Sequence, residues 1–264
     1  MNLAYAASQS SEHSAENIGD VILHHVKDTD ILSIRIGETD FSIFSKHVLM
    51  MWIAAALVVF VFRFAFRKHH VIPNGLANLL EAIVVFLRDE VILPNMGEEG
   101  RRYLPYLLTV FFFILFCNLL GLIPFAATAT GNVSVTAALA IISLIMIQVG
   151  GIKEHGMKHH LQNLIPHGIP IWLLPIMIPV EIMGQFTKPF ALCIRLFANM
   201  TAGHIVILSF ISMIFILKSI FVSPISIFFA LFISLLELFV ALLQAYIFTM
   251  LTSLFIGMSI HPQH

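Results

Sequence analysis

The feature that most limits the fold of this chain is a nearly continuous apolar stretch from Ile171 to Ile260. Its one turn signal is KSIFVSP at 218–224, where Ser223 can cap a helix that carries Pro224 in its first turn. The flanking helices would be about 60 Å and about 55 Å long at 1.5 Å per residue. Because the hydrocarbon core of a bilayer is about 30 Å thick, we expect a hairpin of two long, strongly tilted helices over about 176–217 and 224–260.

The rest of the chain also has the composition of a membrane protein. Of its 264 residues, 59% are hydrophobic and 11% are charged, against about 25% charged in a soluble domain. Further apolar runs predict spans over about 48–66, 104–124 and 133–149, and a polar loop over 150–170. We therefore expect an all-α integral membrane protein with about five crossings. It comprises a polar extracytoplasmic tail over 1–45 and a membrane domain over 46–264.

Two shorter segments carry patterns of their own. Residues 74–95 place leucines at helical spacing beside Glu81, Arg88 and Asp89, which predicts an amphipathic helix lying at the membrane interface. Residues 31–44 alternate apolar and polar side chains around Gly37, which weakly indicates a β-hairpin.

The basic residues predict an orientation. Five crossings place the chain ends on opposite sides, and the positive-inside rule makes the more basic side cytoplasmic. The N-terminus is then outside and the C-terminus is cytoplasmic. The basic residues assigned to the cytoplasmic side are Arg63, Arg67, Lys68, Arg88, Arg101, Arg102, Lys153 and Lys158.

Ionisable and amide side chains inside the hairpin are the candidate functional residues. Inserting an Arg at the centre of a membrane span costs about 2.5–3.5 kcal/mol on insertion scales. A charged residue at such a position therefore indicates a functional role. In an antiparallel pair that turns near residue 220, the numbers of level residues add up to about 441. The rule places His204 level with Glu237, and Arg195 close to the level of Gln244. The first helix carries Glu181, Lys188, Arg195, Asn199 and His204, and the second carries Glu237 and Gln244.

These residue types suit proton movement. His titrates near neutrality, and burial can raise the pKa of a Glu toward it. Arg stays protonated, so Arg195 would be a fixed positive barrier between two half-channels. Other roles stay open for single residues. Asn199 or Gln244 could bond helices together, Lys188 could reach the interface, and Glu181 could be an interfacial residue.

Three strings resemble the ATP synthase a-subunit family. IRLFANMTAGH (194–204) resembles the family's Arg-containing signature, while NLLGLIP (118–124) and LLQAYIFTMLTSLFI (242–256) resemble two further segments. The resemblance covers roughly 45–257 in the same order. One departure is that the acid and the histidine are exchanged between the two long helices relative to the best-known bacterial pattern.

The resemblance implies a non-catalytic proton-channel subunit of a rotary complex in the bacterial inner (plasma) membrane. Its expected partners are a ring of c subunits, a b-subunit stalk and the rest of the ATP synthase, with protons as the transported ion. Arg195 would face ring carboxylates, Glu237 and His204 would serve the outer half-channel, and Glu181 the inner one. No cofactor, metal or nucleic-acid partner is expected.

Two competing interpretations remain. His155, His159 and His160 resemble one histidine box of the di-iron desaturases, and imidazoles at such spacing do bind metals. Such enzymes need several boxes on one face. A stand-alone channel or secondary transporter is the other alternative, although many transporters show repeated halves and this sequence shows none.

Overall fold

The computed structural model describes residues 30–36, 39–67, 75–123, 128–163, 174–217 and 223–261. Two strands come first, and helices form the remainder of this part of the chain. The strands are β1 (Asp30–Ile36) and β2 (Thr39–Ser45). The α-helices are α1 (Lys46–Ala65), α2 (Leu76–Phe86), α3 (Leu93–Met96), α4 (Gly100–Gly121), α5 (Val133–Asn163), α6 (Leu174–Leu217) and α7 (Ser223–Ile260). A π-helix covers Leu87–Ile92, and short 3₁₀ turns cover Gly97–Glu99 and Ala129–Gly131.

The strands β1 and β2 form an antiparallel hairpin in which Ile36 lies opposite Thr39. This confirms the weak hairpin signal in the sequence, although Gly37 itself lies outside the described residues. The strand β2 ends at Ser45 and α1 begins at Lys46. The assignment of residues 1–45 to the extracytoplasmic side stays a prediction.

In the described part of the chain, five helical segments are long and apolar enough to cross a membrane. This confirms the predicted class, an all-α integral membrane protein with about five crossings. Many large apolar side chains on the outer faces of these segments are exposed, among them Trp52, Phe60 and Leu231. Exposed apolar surface on this scale belongs in lipid. The five segments are Lys46–Ala65, Leu76–Gly121, Val133–Met157, Met183–Ile214 and Ser223–Ile260.

The two last helices are continuous, as the sequence predicted. The helix α6 contains 44 residues and passes through Pro179 and Pro189, and α7 contains 38 residues. At 1.5 Å per residue they are about 66 Å and about 57 Å long. Near the turn between them the rings of Phe210 and Phe229 stack with centroids 5.6 Å apart, which holds the two helices together as an antiparallel hairpin.

The amphipathic segment is a helix with one buried face. Leu80, Leu87 and Val91 are buried, whereas Glu81 and Asp89 are exposed. Pro94 lacks the N–H that would bond the carbonyl four residues earlier, and the π-helix lies directly before α3, which contains it. The end of this segment packs closely against α7. That contact requires a glycine at position 257 of α7, because a Cβ at Gly257 would overlap the carbonyl oxygen of Asn95. The location of residues 74–95 at a membrane interface stays a prediction.

The helix α5 is longer than the sequence indicated. We expected a polar loop from residue 150, but helix continues to a break at Gly156, where φ is 75°, and resumes to Asn163. Charged and imidazole side chains can continue a helix beyond the apolar region. Only Gly156 adopts the positive φ that interrupts it, which glycine does at little steric cost.

Candidate functional site

The predicted pair of His204 and Glu237 is in contact. His204 Nδ1 lies 3.3 Å from Glu237 Oε1, and Glu237 is 4% exposed. The numbering rule for the hairpin is therefore confirmed for this pair. A Cβ at Gly203 would lie 2.5 Å from Glu237 Oε1, so a glycine beside His204 is what leaves space for the carboxyl group.

Thr128 continues this contact on the other side of the imidazole. Its hydroxyl oxygen lies 2.9 Å from His204 Nε2, so both ring nitrogens of His204 have a polar partner. Thr128 is buried between helices. A Cβ at Gly121 would lie 2.8 Å from the Thr128 hydroxyl oxygen, so the end of α4 also needs a glycine for the close approach.

The backbone of Thr128 is held from a further helix. His47 is buried at the start of α1, and its Nδ1 donates to the Thr128 carbonyl oxygen at 2.9 Å. The same carbonyl accepts the Gly131 N–H at 3.0 Å. We call His47, Thr128, His204 and Glu237 the relay end of the molecule. It joins α1, the turn before α5, α6 and α7.

Asn118 fixes the turn to two more helices. Thr130 donates its hydroxyl to Asn118 Oδ1 at 2.8 Å, and Asn118 Nδ2 donates to the Ala241 carbonyl at 3.3 Å. Asn132 then begins α5, because its side-chain oxygen accepts the Ser134 N–H at 2.8 Å as an N-cap does. Residues 128–132 are thus a structured turn whose polar groups are directed into the bundle.

Asn199 and Gln244 form a second polar contact in the hairpin. Asn199 Nδ2 donates to Gln244 Oε1 at 2.9 Å. The sequence placed Arg195 near this level, and the structure gives Gln244 the neighbour one turn further along α6. Side chains lean toward the N-terminus of their own helix. In an antiparallel pair the leaning Asn199 and Gln244 therefore approach each other.

Arg195 is half-buried on the same face of α6 as Asn199, four residues away. Within the described part of the chain it makes no hydrogen bond or ion pair. Its neighbours Leu192 and Leu196 are buried in the bundle. A permanently charged guanidinium in a membrane helix is typically paired with an opposite charge or with backbone carbonyls, or faces water.

Two predicted residues lie nearer the N-terminus of α6 than Arg195 does. Lys188 is half-buried, and its ammonium group lies 5.2 Å from the centre of the Phe255 ring on α7, a cation–π contact. Glu181 lies within α6, but its side chain is outside the described residues. Gln148 of α5 donates to Gln185 at 3.3 Å near this level.

The histidines of the competing metal interpretation are not brought together in what the structure describes. His155 Nε2 lies 2.6 Å from the Ile260 carbonyl at the end of α7, where it satisfies one of the last carbonyl groups of that helix. The side chains of His159 and His160 lie outside the described residues. Among those described, no group of three or more His, Cys, Asp or Glu is placed to hold a metal ion.

Sequence reasoning found the acid, the imidazole and the guanidinium but missed Thr128, His47 and Gly203. Single hydroxyl and glycine residues are too common to signal a role, and the contacts of Thr128 are made 81 and 76 residues away along the chain. The position of His47 directly before the first apolar run was its one available signal.

The fold and these contacts define a class: a multi-pass membrane protein whose apolar helices carry a series of hydrogen-bonded polar side chains and an arginine. The chain matches the family described as ATP synthase A chain over residues 48–257, so it belongs to that family. It is 48% identical to "ATP synthase subunit a" of Chlorobium phaeobacteroides, over 97% of this chain and 80% of the relative.

Other relatives agree. Identity is 50% with "ATP synthase subunit a 2" of Prosthecochloris aestuarii, over 98% of this chain and 85% of the relative. "ATP synthase subunit a" of Anaeromyxobacter dehalogenans is 46% identical, over 97% of this chain and 74% of the relative. The chain therefore belongs to the membrane sector of an ATP synthase, and its partner is that complex.

Proposed function

We propose that this chain is the proton-translocating stator subunit of the ATP synthase. It would provide two half-channels to the carboxylates of a c-subunit ring, and Arg195 would separate them. Proton flow through the half-channels would then drive ring rotation and ATP synthesis, while a b-subunit stalk holds this chain in place. The observation that carries the proposal is the part-buried His204–Glu237 contact on the hairpin that also bears Arg195, which has no hydrogen bond or ion pair among the described residues.

Each part of this proposal has a physical basis. His204 and Glu237 can exchange a proton, because each offers an acceptor or a donor to the other depending on its protonation. Arg195 cannot release a proton, so it blocks direct passage along the hairpin. Because Arg195 has no carboxylate partner among the described residues, a ring carboxylate is the natural counter-charge. Asn199 and Gln244 would orient polar groups beside that meeting point, and Glu181 and Lys188 would line the second half-channel.

The proposed orientation places the relay end on the extracytoplasmic side of the bacterial inner membrane, with the N-terminus outside and the C-terminus in the cytoplasm. The excess of basic residues on the opposite side supports it. Single cysteines at Ser10 and Gln263 should react with a membrane-impermeant thiol reagent from opposite faces. The natural cysteines, Cys117 and Cys193, are buried and can first be replaced by alanine. Labelling of both positions from one face would overturn the orientation.

Replacement of Arg195 tests the function. We expect Arg195→Ala to abolish proton-driven ATP synthesis in membrane vesicles and to open a passive proton leak, since the fixed charge between the half-channels is gone. Arg195→Lys should fail as well, because an ammonium lacks the planar fork that holds a carboxylate. Arg63→Ala, at the exposed end of α1, is the matched control and should retain synthesis. Normal synthesis by assembled Arg195→Ala complexes would refute the proposal.

A further inference from the structure

We infer that the Thr128 hydroxyl is a proton-relay group next to His204, and that His47 is the residue that positions it. This inference rests on the proposed function and assigns two residues to the path that brings protons to Glu237. It comes from three consecutive contacts: His47 to the Thr128 carbonyl at 2.9 Å, the Thr128 hydroxyl to His204 Nε2 at 2.9 Å, and His204 Nδ1 to Glu237 at 3.3 Å.

The chemistry of the three groups allows two hydrogen-bond arrangements. With Glu237 ionised, His204 donates from Nδ1 and accepts the Thr128 hydroxyl proton at Nε2. With Glu237 protonated, the carboxyl donates to Nδ1 and Nε2–H donates to the Thr128 oxygen. The same heavy atoms are hydrogen-bonded in both arrangements, so the change requires only movement of protons.

One transfer converts the first arrangement into the second. The Thr128 oxygen bonds an incoming proton and gives its own proton to His204 Nε2. His204 then breaks its Nδ1–H bond and gives that proton to the Glu237 carboxylate. One proton has been added at Thr128 and one has appeared on Glu237, and no other reactant is needed. A side chain without a hydroxyl at position 128 would leave His204 Nε2 without this donor.

The position of the Thr128 hydroxyl depends on His47. The His47 N–H and the Gly131 N–H both bond the Thr128 carbonyl, and this fixes the backbone from which the hydroxyl reaches His204. His47 contacts the backbone of Thr128, and its proposed effect on proton flow passes through that contact. Its neighbour Lys46 is exposed.

The turn itself contains a matched control. Thr130 is as buried as Thr128 and also uses its hydroxyl in a hydrogen bond, to Asn118. That bond holds the turn but has no contact with His204. Thr130→Val therefore removes a buried hydroxyl of the same type, two residues away, from outside the relay.

The test measures proton flux per assembled complex in vesicles, with Thr128→Val, Thr128→Ala, Thr128→Ser and Thr130→Val compared. We expect Val and Ala at position 128 to lower flux at least about tenfold, which is less than the roughly 10²–10⁴-fold that a positioned general acid or base contributes. Thr128→Ser keeps the hydroxyl and should remain within about twofold, and Thr130→Val, which removes only a bond that holds the turn, should lose less flux than Thr128→Val. His47→Leu should lower flux several-fold, and His47→Gln, which keeps an N–H donor, should restore most of it.

The outcomes separate this inference from the proposed function. Normal flux in both Thr128→Val and Thr128→Ala would overturn it, and so would equal losses in Thr128→Val, Thr128→Ser and Thr130→Val, which would mean a structural role alone. Arg195→Ala is measured in the same preparation. If it stops synthesis while the Thr128 variants are normal, only this inference fails. If Arg195→Ala is normal, the proposed function fails.

Discussion

The two ends of α7 hold their polar groups in opposite ways. At the relay end, Glu237 Oε1 contacts His204, His204 contacts the Thr128 hydroxyl, and His47 bonds the Thr128 backbone carbonyl. About 18–24 Å further along the helix, at 1.5 Å per residue, Thr249, Thr252 and Ser253 are fully buried. Their hydroxyl oxygens have no hydrogen-bond partner in the part of the chain that the structure describes. We call these three residues the hydroxyl end.

Under the proposed function, this difference predicts two kinds of proton path. A series of side chains fixes the path, so every member is required. A buried hydroxyl without a hydrogen-bond partner lowers stability by about 1–3 kcal/mol, so we expect water to bond these hydroxyls. A water molecule can bond any of several neighbouring hydroxyls. We therefore expect loss of one group to stop flow at the relay end and to matter little at the hydroxyl end.

The largest effect should come from exchanging the two central residues of the relay end. His204→Glu alone or Glu237→His alone leaves two like groups at one level, and we expect each to lower proton flux at least about tenfold. The double exchange restores one acid and one imidazole, so it should recover at least about threefold over either single change, as coupled neighbours do. A double-mutant cycle on flux measures the coupling directly.

Additive losses in that cycle would contradict the relay. The two residues would then act independently, even though they are in contact and the family assignment stands. The cycle also tests whether the order of acid and imidazole on α6 and α7 matters, which their positions in the structure leave open.

A smaller effect is expected from crowding the relay end without removing any of its groups. Gly203→Ala places a methyl group where Glu237 Oε1 lies 2.5 Å away, so the carboxyl must turn from His204. We expect flux to fall several-fold, while complex assembly, measured by quantitative immunoblot of purified membranes, stays normal. Gly184→Ala on the same helix is the control, because a Cβ there meets nothing within 4 Å. Equal behaviour of the two variants would mean that the His204–Glu237 distance does not control proton flow.

These contrasts also show what could be read from the sequence. Long apolar runs fixed the helices of the hairpin, because only a helix satisfies its backbone in lipid, and antiparallel numbering then placed His204 opposite Glu237. The same numbering did not identify Asn199 as the hydrogen-bond partner of Gln244, since it ignores how side chains lean toward the helix N-terminus. Thr128 and His47 were missed because non-local turns and helix ends leave no periodic pattern.

The length of α5 was missed for a related reason. Polarity in the 150–170 segment marks where apolar surface ends, but helical hydrogen bonds do not need apolar side chains. His155 even continues the bundle there by bonding the last turn of α7. The sequence therefore indicates where the apolar surface ends but not where the helix ends.

The smallest effect on proton flux should come from a single substitution at the hydroxyl end. Thr252→Val keeps the shape of the side chain and removes one hydroxyl. If water passes protons along Thr249, Thr252 and Ser253, the two remaining hydroxyls can still hold it, because a bridging water is nearly as good a partner as a protein group. We expect a change of less than about twofold in proton flux, small beside the loss of a proton-transfer group.

The triple variant Thr249→Val, Thr252→Val, Ser253→Ala removes every hydroxyl of this end at once. Its flux should fall by more than the product of the three single effects, since each single variant retains substitutes that the triple variant lacks. Thermal stability of the assembled complex, measured alongside, separates a path effect from misfolding: removal of unpartnered buried hydroxyls should leave stability equal or higher. If Thr252→Val alone reduced flux as strongly as Thr128→Val, the hydroxyl end would also be a series path, and the distinction between the two ends of α7 would be wrong.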